Sequence, residues 1–147
     1  MVEKLNITSD VVLTKVFELS NQIRACQIGF AAVIAIKRGG AVPASDLSLM
    51  LDLPYAEVYV SCYDGEVKRE TPIVEIEALK QFQGRNVILV DDLIDSGQTI
   101  QILKLECKKL DIDPKVAVLY QKPHAVIKPD FCTETTTKWI VFPWEQD

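Results

Sequence analysis

Val87-Ile88-Leu89-Val90-Asp91-Asp92-Leu93-Ile94-Asp95-Ser96-Gly97-Gln98-Thr99 joins a wholly apolar run to two adjacent acids and then to a short polar turn. A run apolar at every position is the pattern of a strand covered on both faces. Ile100, Leu103, Cys107 and Leu110 follow at helical spacing, so the polar residues lie between a strand and a helix. The first backbone N–H groups of a helix lack intrahelical partners. Those of Ser96 to Thr99, with the hydroxyls of Ser96 and Thr99, are therefore placed to surround a phosphate, and Gly97 permits close backbone approach. Asp91 and Asp92 leave the strand as neighbouring carboxylates, a pair suited to sugar hydroxyls or to a Mg²⁺ that keeps most of its waters. The bland alternative is a pair of solvated loop acids followed by a helix cap at Asp95 and Ser96.

The same alternation recurs along the chain. Thr8, Ser9 and Asp10 offer capping oxygens before a helical stripe of Val12, Val16, Leu19, Ile23 and Cys26, which predicts a helix from about Ser9 to Ala25. Ala31 to Ile36 is an apolar strand ending at Lys37-Arg38-Gly39-Gly40, with a short helix reaching Leu51. Tyr55 to Cys62 reads as a strand, Asp64 to Glu70 as a polar mobile loop and Ile73 to Ile76 as a returning strand. Val116 to Tyr120 and Trp139 to Phe142 complete the apolar strands. Strands of this kind alternating with helices predict an α/β fold, a mostly parallel central sheet with helices on both faces. Ligands of such sheets lie beyond the carboxyl ends of the strands.

A chain of 147 residues without an internal linker predicts one domain over residues 1–147. Net charge of -5 opposes nucleic-acid binding and attraction to anionic lipid, so anion recognition must be local. No apolar run reaches the length of a membrane span, and Met1 to Asp10 lacks a signal core, which predicts a cytoplasmic protein. Cys26, Cys62, Cys107 and Cys132 lie far apart, arguing against disulfides and structural zinc. His124 is the single histidine and reads as a surface or capping residue. Neither the phosphate loop of NTPases nor the dinucleotide glycine fingerprint is present.

Val87 to Thr99 resembles, without a gap, the PRPP-binding signature of type I phosphoribosyltransferases: apolar strand, two acids, two apolar residues, Asp, Ser or Thr, Gly, any residue, Thr. The resemblance implies that Asp91, Asp92, Leu93, Ile94, Asp95, Ser96, Gly97, Gln98 and Thr99 bind PRPP, with Asp91, Asp92 and Asp95 catalytic. It also implies a type I phosphoribosyltransferase fold with a small hood, Mg²⁺ as cofactor with Asp92 in its shell, and a pyrophosphate loop at Arg38 and Gly39. Lys122-Pro123, Trp139-Ile140 and Pro143-Trp144-Glu145 are similar to the 6-oxopurine subgroup, particularly bacterial xanthine-guanine phosphoribosyltransferases. In that subgroup the lysine meets O6, the aromatic ring stacks on the base and the next residue meets the two-position. Cys62-Tyr63-Asp64 through Arg69-Glu70 matches the subgroup's mobile loop, with Arg69 a ligand-binding cation. Cys62 stands where a serine commonly precedes the loop tyrosine, the chain ends at Asp147 soon after Trp144, and Lys37 has no counterpart role.

The implied reaction moves the phosphoribosyl group of PRPP onto guanine, xanthine or hypoxanthine and releases pyrophosphate, a step of purine salvage. Asp95 is the expected base toward the purine N7, and closure of Asp64 to Glu70 is expected to exclude water. PRPP and a purine are the expected partners, with a homo-oligomer, dimer or tetramer, implied by the family. A phosphoribosyltransferase for another base and a PRPP-binding regulator without turnover remain as alternatives. A preference among the 6-oxopurines is not readable from these residues.

Overall fold

In the computed structural model, which describes residues 2–146, the chain opens with β1 (Lys4–Asn6) and α1 (Ser9–Ala25). It continues through β2 (Ala32–Lys37), α2 (Ala41–Leu51), β3 (Tyr55–Asp64), β4 (Val67–Glu75), β5 (Asn86–Ile94) and α3 (Gln98–Lys109). Three further strands follow: β6 (Asp113–Gln121), β7 (Phe131–Thr135) and β8 (Trp139–Val141). 3₁₀ segments occupy Glu77–Phe82 and Pro143–Glu145. Thr8 caps α1 through its hydroxyl, which accepts from the Val11 N–H at 3.2 Å.

Six strands form one sheet in the order β4-β3-β2-β5-β6-β7, parallel except for the antiparallel β3–β4 pair. Alternate residues of each central strand feed two separate cores. Val33 and Ala35 of β2, Ile88 and Val90 of β5, and Ala117 and Leu119 of β6 pack with Val16 and Leu19 of α1 and Leu47 of α2. Ile34 and Ile36, Val87 and Leu89, and Val116 and Val118 pack on the opposite face with Ile100, Leu103 and Cys107 of α3. Burial on both faces is why these strands are apolar at every position.

Starting at β2, the chain passes through α2 to β3 on one side; starting at β5, it passes through α3 to β6 on the other. The order therefore reverses between β2 and β5, and a crevice opens beyond their carboxyl ends, as the winding of such sheets requires. Arg38-Gly39-Gly40 and the Asp91 to Thr99 stretch both emerge there. The glycine loop touches β5: a Cβ on Gly39 would lie 2.2 to 2.6 Å from the Asp92 carboxyl atoms, and one on Gly40 would lie 2.1 Å from the Val90 carbonyl oxygen. Backbone fills the side-chain space of Gly40, so glycine is needed there, whereas the space of Gly39 is filled by a side chain that can turn away.

Four expectations change. Strand β5 does not stop at Val90: pairing with β6 (Asp91 opposite Val118, Leu93 opposite Tyr120) carries it through Ile94, so the acid pair is strand, not loop. Asp64 to Glu70 is a tight hairpin turning at Gly65 (φ 62°), most of it in β4, and not an irregular loop. Trp139 and Ile140 sit outside the main sheet, in β8, which pairs in parallel with β1. β1 and β7 were not foreseen; both are short, and β1 exists only through its partner at the other end of the chain.

Candidate active site at the sheet crevice

Two adjoining cavities occupy the carboxyl edge. The first, of about 340 Å³, is lined by Asp91, Leu93, Ile94, Asp95, Ser96, Gly97, Gln98 and Thr99 together with Cys62 and Tyr63 of the hairpin. Gly97 adopts φ 95° directly before α3, a conformation that frees the helix's first amides toward the cavity. The Ser96 hydroxyl oxygen already accepts from the Gln98 N–H at 3.3 Å, so one of those amides is partly spent on a local cap.

The second cavity, of about 240 Å³, is lined by Asp92, Leu93, Asp95, Lys122, Trp139, Ile140, Phe142 and Glu145. Lys122 donates through Nζ to the Lys138 carbonyl, which aims the ammonium and leaves other hydrogens for a ligand. Trp139 is 59% exposed, so a face of the indole is open to a planar ligand, whereas Ile140 is buried. Phe142 stacks on Trp144 with ring centroids 5.0 Å apart and its N–H donates to the Glu145 carboxylate at 3.1 Å, anchoring the cavity floor. Leu93 and Asp95 line both cavities, which makes Asp95 the group at their junction.

Burial, reinforced by the carboxyl of Asp92, pushes the Asp91 carboxyl well above the usual carboxylate range. Burial also raises Asp92, opposed by a hydrogen bond with Asp91 and reinforced by the charge of Glu145. Two held-up acids that form no ion pair among the described residues are a set of hard oxygen donors that an incoming cation would relieve. Among the described residues, no group of three or more His, Cys, Asp and Glu forms a complete metal cage.

Other sequence-predicted residues lie elsewhere. Arg38 lines a separate crevice of about 510 Å³ with Lys37, Glu57, Tyr59, Glu75 and Glu77, while the backbone of its neighbour Gly39 abuts Asp92. Lys37 pairs with Glu57 at 3.6 Å. Arg69 lines none of these cavities; its Nε donates to the Ser61 hydroxyl and the Tyr63 carbonyl, both at 3.1 Å, so it braces the hairpin. His124 is exposed at the surface, as expected, but it has a partner that was not foreseen: its Nε2 lies 2.6 Å from Asp95 Oδ1. Sequence reasoning also missed Phe142 as a cavity residue and gave Glu145 no role, although Glu145 belongs to the Pro143-Trp144-Glu145 motif already singled out.

The model of the family described as Phosphoribosyl transferase domain matches residues 8–146. A xanthine-guanine phosphoribosyltransferase of Desulfotalea psychrophila is 35% identical over 125 residues, covering 80% of this chain and 72% of that protein. The crystal structure of a purine phosphoribosyltransferase from Pyrococcus horikoshii superimposes with a TM-score of 0.84 at 32% identity, covering 99% of this chain and 95% of that one. A hypothetical protein from Neisseria gonorrhoeae with bound ppGpp matches with a TM-score of 0.82 at 30% identity, over 99% and 91% of the two chains.

Proposed function

This chain belongs to the phosphoribosyl transferase domain family, and on that premise we propose that it transfers the phosphoribosyl group of PRPP to a 6-oxopurine, forming a nucleoside 5′-monophosphate and pyrophosphate. One observation carries the reading: the cavity at the α3 N-terminus and the cavity of Lys122 and Trp139 meet at Leu93 and Asp95. A sugar phosphate in the first and a flat base in the second would bring C1 and the attacking nitrogen together there, which is how positioning lowers such a barrier.

The 5-phosphate takes the amides and hydroxyls of Ser96 to Thr99, and Asp91 and Asp92 take the ribose hydroxyls. Pyrophosphate faces the Arg38-Gly39 loop. The acid pair would hold Mg²⁺, with Asp92 in its shell, and the ion would neutralise charge developing on the departing pyrophosphate. Lys122 only donates, so it suits a 6-oxo group and opposes the 6-amino group of adenine. Trp139 stacks on the base and Ile140 offers its carbonyl to the two-position. The ppGpp-bound neighbour, which carries a guanine nucleotide, supports a guanine-sized occupant. Asp95 accepts the N7 proton as N9 attacks C1. Cys62 and Tyr63 place the β3–β4 hairpin over the first cavity, where its movement would exclude water.

Among the described residues no helix is long and apolar enough to cross a membrane. All four cysteines are free thiols, as a reducing compartment such as the cytoplasm would keep them. Exposed Leu13 and Phe17 on α1 and Leu49 on α2 supply apolar surface for a homo-oligomer. Incubation with PRPP, Mg²⁺ and each of guanine, xanthine, hypoxanthine, adenine, orotate and uracil, with nucleotide detection, tests the reading. Product from the 6-oxopurines is expected. PRPP binding without nucleotide from any base would replace the transferase with a ligand-binding regulator.

A further inference from the structure

Asp95 and His124 come from different loops, and the fold joins those loops on both sides of the contact. The Lys122 N–H donates to the Ile94 carbonyl at 2.9 Å, and the Val126 N–H donates to the Ser96 carbonyl at 3.2 Å. Asp95 thus lies between two clamped residues, and His124 lies between the two donors. A third restraint comes from Gly97, where a Cβ would meet the Ile127 side chain at 3.0 Å. The imidazole Nε2 is held 2.6 Å from Asp95 Oδ1 although the side chains are 65% and 70% exposed. Neighbouring cations are engaged elsewhere: Lys122 on the Lys138 carbonyl and Lys128 on the Pro123 carbonyl at 3.3 Å.

We infer that His124 is a positioning residue for Asp95. An ionised carboxylate only accepts, so the hydrogen in this contact sits on Nε2 and is donated to Oδ1. That fixes the carboxylate plane and leaves Oδ2 for the purine. As N9 bonds to C1, the C1–O bond to pyrophosphate breaks, its electron pair leaves with pyrophosphate, and the N7 proton passes to Oδ2. A carboxylate free to rotate would meet N7 in only part of its orientations, and misplacement of a reacting group is costly even when small. This inference rests on the transferase reading above and extends it to a residue outside both cavities.

Because the chain has a single histidine, its ring is observable without ambiguity. In the full chain labelled with ¹⁵N, the imidazole should carry its hydrogen on Nε2, and Asp95→Ala should shift the ring signals to those of a solvated side chain. In turnover, His124→Ala should lower kcat about tenfold, a part of the roughly 10²- to 10⁴-fold that base assistance supplies. The KM for PRPP should stay within about twofold, since ground-state sugar binding is not what the contact serves. His124→Gln, whose amide nitrogen reaches the same donor position, should restore kcat to within about threefold. Wild-type kcat in His124→Ala, a glutamine variant as slow as the alanine one, or ring signals indifferent to Asp95→Ala would each overturn the inference. A wild-type chain that makes no nucleotide defeats the transferase reading and this role with it, whereas an active wild type beside an equally active His124→Ala defeats this role alone.

Discussion

Replacing Gly39 by alanine should separate substrate recognition from folding. The new methyl would lie 2.2 Å from Asp92 Oδ2 and 2.5 Å from Cγ, where ordinary contact begins at 3.4 Å. The Asp92 carboxyl must therefore move by about an ångström, a misplacement that costs on the order of 10²-fold when it affects reacting geometry. In transition-state terms this is about 2.7 kcal/mol. Rotation of one short side chain relieves most of the clash, so stability should fall by only about 1 kcal/mol, the low end for an overpacked site. Gly40→Ala supplies the contrast, since its methyl would strike the Val90 carbonyl oxygen at 2.1 Å and the Ile36 carbonyl oxygen at 2.8 Å, and backbone cannot rotate away. Steady-state kinetics with varied PRPP, alongside thermal melts, reads both effects. Expected are a Gly39→Ala enzyme about 10²-fold lower in kcat/KM for PRPP with a melting point a few degrees lower, and a Gly40→Ala chain that folds poorly. A Gly39→Ala enzyme within threefold of wild type would refute the claim that Asp92 must occupy the space beside this glycine.

Asp95→Asn should lose about 10² to 10⁴ in kcat while calorimetry finds PRPP affinity nearly unchanged, because the amide retains shape but not basicity. Asp91 binds its proton more tightly folded than unfolded. The resulting penalty is absent below the unfolded value near ~3.9 and complete above the raised folded one. Asp91→Asn should therefore stabilise the ligand-free protein at neutral pH by about 0.5–2 kcal/mol, read as a higher melting point, while abolishing the Mg²⁺-dependent gain from PRPP. Lys122→Ala should raise the KM for guanine about 10- to 100-fold, matching the loss of a charged hydrogen bond of about 1.5–3 kcal/mol, and narrow its advantage over adenine in the base panel.

Much of the site was legible because its elements are local. The apolar run Val87–Val90 of β5, the stripe of Ile100, Leu103 and Cys107, and the glycine between them are patterns each contained within a short stretch of chain, and each is dictated by burial or by backbone freedom. They sufficed to place a helix N-terminus with a glycine before it at the edge of a parallel sheet. Lys122 and Trp139 could be nominated only through their resemblance to a family, since a single lysine or tryptophan carries no periodicity.

Arg69 and His124 mark the boundary of that reasoning. Arg69 was read as a loop cation, but strand pairing folds its segment back so that its Nε–H is shared between the Ser61 hydroxyl and the Tyr63 carbonyl. His124 looked isolated because Asp95 lies 29 positions away, and only the parallel pairing of β5 with β6 brings their following loops edge to edge. The sequence by itself determined the α/β class, the glycine turn between β5 and α3 and the acids beside it, all through interactions between near neighbours. Tertiary structure alone decided which loop ends touch, from Gly39 against Asp92 to His124 against Asp95, because those contacts depend on strand order and register set by cooperative packing across the whole sheet.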